Sequence, residues 1–171
     1  MKISQNFRGL YIILLICQII LCNYADLSPY IMLSMLPAMV LCIPLSVNSP
    51  LCMIIAFASG LAVDWLSEGL IGINAASIIP VALMRKPFIS LFLGEDLITR
   101  SDNFSIRKNG FTKIFFALFM SVALFLVIYI FLDGAGTRTF WFSFSRFWAS
   151  LFFNMILGFI VVNVLTGEER K

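Results

Sequence analysis

The chain has 171 residues, of which 61% are hydrophobic and 12% are charged, with a net charge of +3 and a mean hydropathy of +1.00. A soluble domain is about 45–50% apolar and about 25% charged, so this composition excludes an ordinary water-soluble domain. It predicts an all-α, polytopic transmembrane bundle of about six helices, in which residues 1–171 form a single integral membrane domain.

The first predicted span covers residues 10–22 and follows two basic residues, Lys2 and Arg8. A basic start before a short apolar run is also typical of a cleaved signal peptide. The sequence Asn23-Tyr24-Ala25 is a poor cleavage site, and further apolar spans follow. We therefore predict an uncleaved first helix.

Three spans and one shorter segment follow before the long polar stretch. The second span, residues 29–47, contains Pro37 and Pro44, which predict a kinked helix. The third covers residues 50–66, and the fourth covers residues 72–84, closed by Arg85-Lys86-Pro87. Residues 87–93 are apolar but too short to cross a bilayer, so we expect them to lie at its interface.

Residues 95–113 form the one long polar piece, which we expect to be an aqueous loop. The fifth span covers residues 114–132, and a turn at residues 133–136 leads to the sixth span, residues 144–165. The membrane orientation follows from the distribution of Lys and Arg. With six spans and a cytoplasmic N-terminus, only Arg138 and Arg146 lie outside; the inner side holds Lys2, Arg8, Arg85, Lys86, Arg100, Arg107, Lys108, Lys113, Arg170 and Lys171. We therefore expect both termini in the cytoplasm.

Two predicted helices carry polar or small residues along one face. In the third span Ala56, Gly60 and Asp64 recur at every fourth position, which predicts close packing against another helix. In the sixth span the stripe consists of Ser143, Arg146, Ser150, Asn154 and Gly158. Asp64 and Arg146 fall at similar depth, so we hypothesise an ion pair between them; the alternative is that each separately reaches water at the headgroups.

Single amides in the first and fourth spans, Gln18 and Asn74, are expected to hydrogen-bond neighbouring helices. The chain has no histidine, and its four cysteines lie in apolar runs, so we expect neither a metal site nor a cofactor; the cysteines are Cys17, Cys22, Cys42 and Cys52. No catalytic or phosphate-binding motif is present, so we expect no enzymatic activity. The basic loop indicates contact with anionic membrane lipid or a cytoplasmic partner and not with nucleic acid.

The order of several short motifs resembles the bacterial rod shape-determining MreD family. They are Gln18 and Asn23 in and after the first helix, Leu36-Pro37, residues 60–67 (GLAVDWLS), residues 72–76 (GINAA) and Arg85. The resemblance covers residues 10–95; the last two helices agree in hydropathy, number and spacing.

This resemblance implies a non-enzymatic inner-membrane subunit of the cell-elongation complex, which helps to maintain cell shape and to direct lateral peptidoglycan synthesis. Its implied partners are an MreC-like bitopic membrane protein, MreB-like filaments and wall-synthesis enzymes. The family's fold is similar to that of the substrate-binding component of energy-coupling-factor transporters. The alternative function is therefore a vitamin-binding or small-molecule-binding transport component, although the short outer loops carry no cluster of polar ligand-binding residues.

Overall fold

The computed structural model describes residues 5–24, 31–67, 71–94, 110–134 and 138–167. These residues form six helices and contain no strand: α1 (Gln5–Tyr24), α2 (Leu36–Leu41), α3 (Ser49–Leu66), α4 (Ile73–Leu93), α5 (Phe111–Gly134) and α6 (Phe140–Gly167). All but α2 are long and apolar enough to span a membrane. The described residues thus form an all-helical fold, and five helices of this length and composition indicate a multi-pass membrane protein.

The second span differs from its prediction, because residues 31–47 do not form one kinked helix. Residues 31–35 are non-helical, α2 has only six residues, and turns follow it. Pro37 is accommodated in the first turn of α2, and Pro44 lies beyond its end, so neither proline removes a hydrogen bond from this helix. At 1.5 Å per residue α2 is about 9 Å long, against a hydrocarbon core of about 30 Å.

Residues 31–47 nevertheless carry the chain from one end of the bundle to the other. The Asn23 side chain, at the end of α1, donates to the Leu66 carbonyl at the end of α3, so both helices finish at the same end. At the opposite end, Phe7 near the start of α1 lines the same cleft as Pro44 and Val47. The chain must therefore return between α1 and α3, and we call residues 31–47 the broken crossing.

The broken crossing occupies the core of the bundle. All six residues of α2 are buried, as are Ile43, Leu45 and Val47 after it. The short helix packs against each of the five long helices. Non-helical backbone at membrane depth is tolerated where protein surrounds it, and this arrangement meets that condition.

A second difference concerns α4, which continues through Pro80 and Pro87 to Leu93. The prediction of a separate interfacial segment at 87–93 is therefore wrong. Ile89 and Leu93 are buried, and the Phe92 ring stacks on Phe116 of α5 with centroids 5.9 Å apart. This packing holds the last two turns in helical form, although Pro87 removes one backbone hydrogen bond.

The other long helices contain their predicted spans and extend beyond them. Helix α5 starts three residues before and ends two residues after residues 114–132, and α6 starts four residues before its predicted span, so that it includes Phe140, Trp141 and Phe142. Residues 95–109 of the predicted polar loop lie outside the described residues.

Candidate functional site

Gln18 of α1 is fully buried and binds one edge of the broken crossing. Its Nε2 donates to the Leu33 carbonyl oxygen at 3.3 Å, and its Oε1 accepts from the Met35 N–H at 2.6 Å. Nε2 also contacts the Sγ of Cys22, one turn along the same helix, at 3.0 Å. A primary carboxamide carries a donor and an acceptor side by side, so it can satisfy two backbone groups that face the same way.

Asn154 of α6 binds the opposite edge in the same manner. Its Nδ2 donates to the Met32 carbonyl oxygen at 2.7 Å, and its Oδ1 accepts from the Ser34 N–H at 2.6 Å. One turn earlier on α6, the Ser150 hydroxyl accepts from the Met32 N–H at 2.9 Å. Asn154 and Ser150 are both buried.

Taken together, these contacts satisfy alternate peptide groups of residues 32–35 from two sides. The groups at Leu33 and Met35 face Gln18, and those at Met32 and Ser34 face α6. Such alternation is that of an extended chain, in which a neighbouring strand would normally supply the partners. Here the side-chain amides of Gln18 and Asn154 take the place of neighbouring strands. This role explains why the apolar helices α1 and α6 each carry a buried amide.

Arg85 of α4 supports the other end of the broken crossing. Its exposed fraction is 1%; Nη2 donates to the Ile43 carbonyl oxygen, just after α2, and Nη1 lies 3.5 Å from the Cys52 Sγ. The C-terminal end of a helix carries partial negative charge, which favours a cation there. Among the described residues no carboxylate lies within ion-pair distance of Arg85, and its Nε has no hydrogen-bond partner.

Asp64 of α3 caps the N-terminus of α4. Its Oδ2 accepts from the backbone N–H groups of Gly72 and Ala75 at 3.0 and 3.1 Å. Its Oδ1 accepts from the backbone N–H and the side-chain Nδ2 of Asn74 at 3.1 and 2.9 Å. Gly72, the residue before α4, has φ +100° and no side chain to cap the helix, so the carboxylate from α3 takes over that role. Its charge also suits the positive end of the helix.

Gly60 brings α3 close enough to α4 for this capping. A Cβ atom at position 60 would lie 2.7 Å from the Ala75 Cα, which is a backbone atom. Ala56, Gly60 and Asp64 are all buried, so the predicted inward face of α3 is confirmed. The close approach of two helix backbones is what small residues at this spacing permit.

The hypothesised ion pair between Asp64 and Arg146 is wrong. Arg146 instead pairs with Asp133 at the end of α5, and Arg138 lies 3.5 Å from the same carboxylate. Asp64 already accepts four hydrogen bonds from residues 72–75, at and just before the start of α4, so it is not available to α6. Arg146 lies in the second turn of α6, next to the α5 terminus that it contacts.

All seven sequence-predicted candidates are buried: Gln18, Gly60, Asp64, Asn74, Arg85, Arg146 and Asn154. The structure brings Gly60, Asp64 and Asn74 together, and it joins Gln18 to Asn154 through the broken crossing. Sequence reasoning missed Asp133 as the partner of Arg146. It also did not foresee that the side-chain amides of Gln18 and Asn154 bind backbone groups of the broken crossing. The two prolines of the predicted second span were the available signal for an interrupted helix.

Side chains of the described residues line two sizeable apolar clefts. The α1–α3 cleft, about 420 Å³, is lined by Phe7, Arg8, Tyr11, Ile12, Ile43, Pro44, Val47, Leu51 and Ile55. The α5–α6 cleft, about 450 Å³, is lined by Val127, Ile130, Phe131, Gly134, Arg138, Phe140, Ser143, Phe144 and Phe147. Within the described part of the chain, no group of His, Cys, Asp and Glu side chains has a geometry that would hold a metal ion.

Comparison of the chain with protein-family models, with curated proteins and with solved structures gives no match.

Proposed function

We propose that this chain is a non-enzymatic inner-membrane subunit of the bacterial cell-elongation complex, of the MreD type. In this role it helps to maintain rod shape and to direct lateral peptidoglycan synthesis. Its partners are an MreC-like bitopic membrane protein and, through it or directly, MreB-like filaments and wall-synthesis enzymes. The proposal rests on the order of motifs in residues 10–95, and on the use that the fold makes of the residues in those motifs.

The observation that carries the proposal is that the motif residues hold the fold together. Asp64, from residues 60–67, accepts four hydrogen bonds from residues 72–76, the next motif along the chain. Gln18 and Arg85, from two further motifs, each bind the backbone of the broken crossing. Residues that hydrogen-bond one element of the bundle to another are consistent with a subunit that presents a rigid surface to its partners.

The alternative, a substrate-binding transport component, calls for a pocket with convergent polar groups. The two clefts that the described residues line are mainly apolar, and the buried amides of Gln18 and Asn154 are already bonded to backbone groups. These observations favour the scaffold over the transport component.

The proposed orientation places both termini in the cytoplasm. It depends on the broken crossing, because five long helices alone would put the C-terminus on the side opposite the N-terminus. With residues 31–47 as a sixth passage, the basic residues keep the distribution of ten inside and two outside. Cysteine labelling at the termini and at residue 138 provides the measurement: a membrane-impermeant reagent added to intact cells should modify only residue 138.

Depletion of the protein in its host cell tests the function. We expect cells to lose rod shape and the native protein to co-purify with a single-span membrane partner. Complementation by Gly60→Ala, which separates α3 from α4, should fail, whereas Gly9→Ala, at a position with open space around it, should restore the rod shape.

Unchanged cell shape and unchanged lateral wall insertion after depletion would refute the elongation assignment. Co-purification with an ATP-driven module, together with a tightly bound small molecule, would support the transport component instead.

A further inference from the structure

The α5–α6 cleft combines an apolar chamber with excess positive charge at its rim. Its walls are the rings of Phe131, Phe140, Phe144 and Phe147 with aliphatic side chains between them. Arg138 lines the same cleft, and Ser143 supplies a hydroxyl group. The volume of about 450 Å³ lies within the range of about 300–1,000 Å³ that ligand pockets occupy.

The charge at the rim is not balanced among the described residues. Arg138 and Arg146 share one carboxylate, that of Asp133, so this cluster has one positive charge in excess. Arg146 is the better-placed partner, since its side chain is 11% exposed against 39% for Arg138. Arg138 is therefore the guanidinium that remains accessible to a further anion.

The Arg138 side chain is also held in place before any ligand arrives. Its Cζ lies 5.1 Å from the centroid of the Phe142 ring, and its Nη2 lies 3.5 Å from Asp133. A guanidinium fixed in this way loses little conformational freedom when it binds a phosphate, and its planar group of donors matches phosphate oxygens. The cleft lies at the end of the bundle where α5 finishes and α6 begins, and the ends of membrane-spanning helices lie close to lipid headgroups.

From these observations we propose that the α5–α6 cleft is a specific binding site for an anionic phospholipid. An acyl chain lies along the aromatic and aliphatic wall, and the phosphate accepts hydrogen bonds from Arg138 and from the Ser143 hydroxyl. A zwitterionic lipid has a choline or ethanolamine cation beside its phosphate, which weakens the same contact. The site therefore selects lipids with net negative charge, whatever the partners of the protein are.

Occupancy of the cleft is followed as the difference in tryptophan quenching between two brominated lipids, because Trp141 and Trp148 are exposed and any surrounding brominated lipid quenches them to some extent. Trp141 and Trp148 both contact Phe144, a wall residue, with ring centroids 6.4 and 6.2 Å apart. The third tryptophan, Trp65, lies at the end of α3 and is removed by Trp65→Phe. The protein is reconstituted in nanodiscs with phosphatidylglycerol or phosphatidylcholine that carries brominated acyl chains, at equal mole fractions in an unlabelled phosphatidylcholine background.

We expect brominated phosphatidylglycerol to quench the two tryptophans at about fivefold lower mole fraction than brominated phosphatidylcholine, the ratio that one cation near an anionic headgroup produces. Arg138→Gln should abolish this difference, and Arg138→Lys should retain part of it. Val127→Phe, which fills the cleft from its exposed rim, should weaken quenching by both lipids. Arg8→Gln, the matched change in the α1–α3 cleft at the other end of the bundle, should leave the difference intact.

Equal quenching by the two lipids in the wild-type protein would overturn the proposal, as would a preference that survives Arg138→Gln. Displacement of brominated phosphatidylglycerol by glycerophosphoglycerol, a headgroup without acyl chains, would also overturn it, because the chamber would then have no part in binding. Quenching that disappears when each nanodisc holds two copies of the protein would assign the cleft to self-association instead.

Discussion

The broken crossing and α5 satisfy their backbone groups in opposite ways. Helix α5 runs for 24 residues without interruption, so its peptide groups bond within the helix, and even its buried Ser121 hydroxyl donates to the Ala117 carbonyl one turn away. The broken crossing has only six helical residues and takes its partners from α1, α4 and α6. A buried amide or arginine in one membrane helix can therefore serve the backbone of another segment.

The largest expected loss of unfolding free energy follows removal of the side-chain amide of Gln18 or of Asn154. Gln18→Met and Asn154→Leu keep similar volumes but each leaves one N–H and one carbonyl of residues 32–35 without a partner. At about 1–3 kcal/mol for each buried unsatisfied group, each variant should lower the free energy of unfolding by about 2–6 kcal/mol. Steric-trapping or SDS-titration unfolding in bicelles measures it.

The matched control for these variants is Ser121→Ala on α5. It deletes a buried hydroxyl whose partner carbonyl keeps its place in the helix, so we expect a loss of less than about 1 kcal/mol. If Ser121→Ala costs as much as Gln18→Met, the distinction between the two regions does not hold.

A smaller loss of unfolding free energy is expected when the carboxylate of Asp64, where α3 meets α4, is replaced. Asp64→Asn places an NH2 group where one carboxylate oxygen now accepts two backbone N–H groups, and it removes the charge that suits the helix N-terminus. We expect a loss of about 1–2 kcal/mol, in line with the removal of a helix cap. Hydrogen exchange should accelerate at the amides of Asn74 and Ala75.

Ser67→Ala is the control at the same end of α3, because the Ser67 hydroxyl, just after the helix, donates to the Val63 carbonyl of α3 and not to α4 among the described residues. Exchange at the start of α4 that is equally fast in both variants would contradict the assignment of Asp64 as its cap.

Three glycines form a graded test of helix spacing. A Cβ at Gly60 meets backbone at 2.7 Å, a Cβ at Gly158 meets the Leu118 side chain at 2.9 Å, and a Cβ at Gly9 meets nothing within 4 Å. Gly60→Ala should destabilise most, because neither backbone can yield. Gly158→Ala should cost less, since Leu118 can change rotamer, and Gly9→Ala should stabilise by about 0.5–1 kcal/mol through helix propensity.

Thermal aggregation midpoints in one detergent are enough to rank the three variants. A ranking in which Gly158→Ala is worse than Gly60→Ala would place the tightest helix contact at α5 and α6 instead of α3 and α4.

Much of the fold follows from hydropathy, and the exceptions have local causes. Residues 50–66 were predicted within one residue, because an uninterrupted apolar run with a proline at its start leaves little choice. The prediction of a helix for the second span was wrong because an apolar sequence indicates burial and not helical structure. Most of residues 31–47 are buried by protein although only six of them are helical. Pro87 suggested an end to α4, but contacts of Ile89, Phe92 and Leu93, which no local pattern encodes, keep it helical.

The candidate residues were found more reliably than their partners. Gln18, Asp64 and Asn154 stand out because polar groups at membrane depth are rare, and all are buried as expected. Pairing Asp64 with Arg146 relied on charge and depth alone. Charge does not reveal that Asp64 already accepts four hydrogen bonds from residues 72–75, or that Asp133 at the end of α5 lies beside Arg146 near the start of α6.

Residue-resolved hydrogen exchange at the amides of Ser34 and Met35 shows whether side chains of α1 and α6 hold the backbone of the broken crossing. If Asn154 and Gln18 accept their hydrogen bonds, both amides should be protected as strongly as the middle of α5, although neither lies in a helix. Gln18→Met should then accelerate exchange of the Met35 amide more than that of Ser34. Asn154→Leu should accelerate exchange of the Ser34 amide more than that of Met35. Rapid exchange of both amides in the wild-type protein would contradict the account.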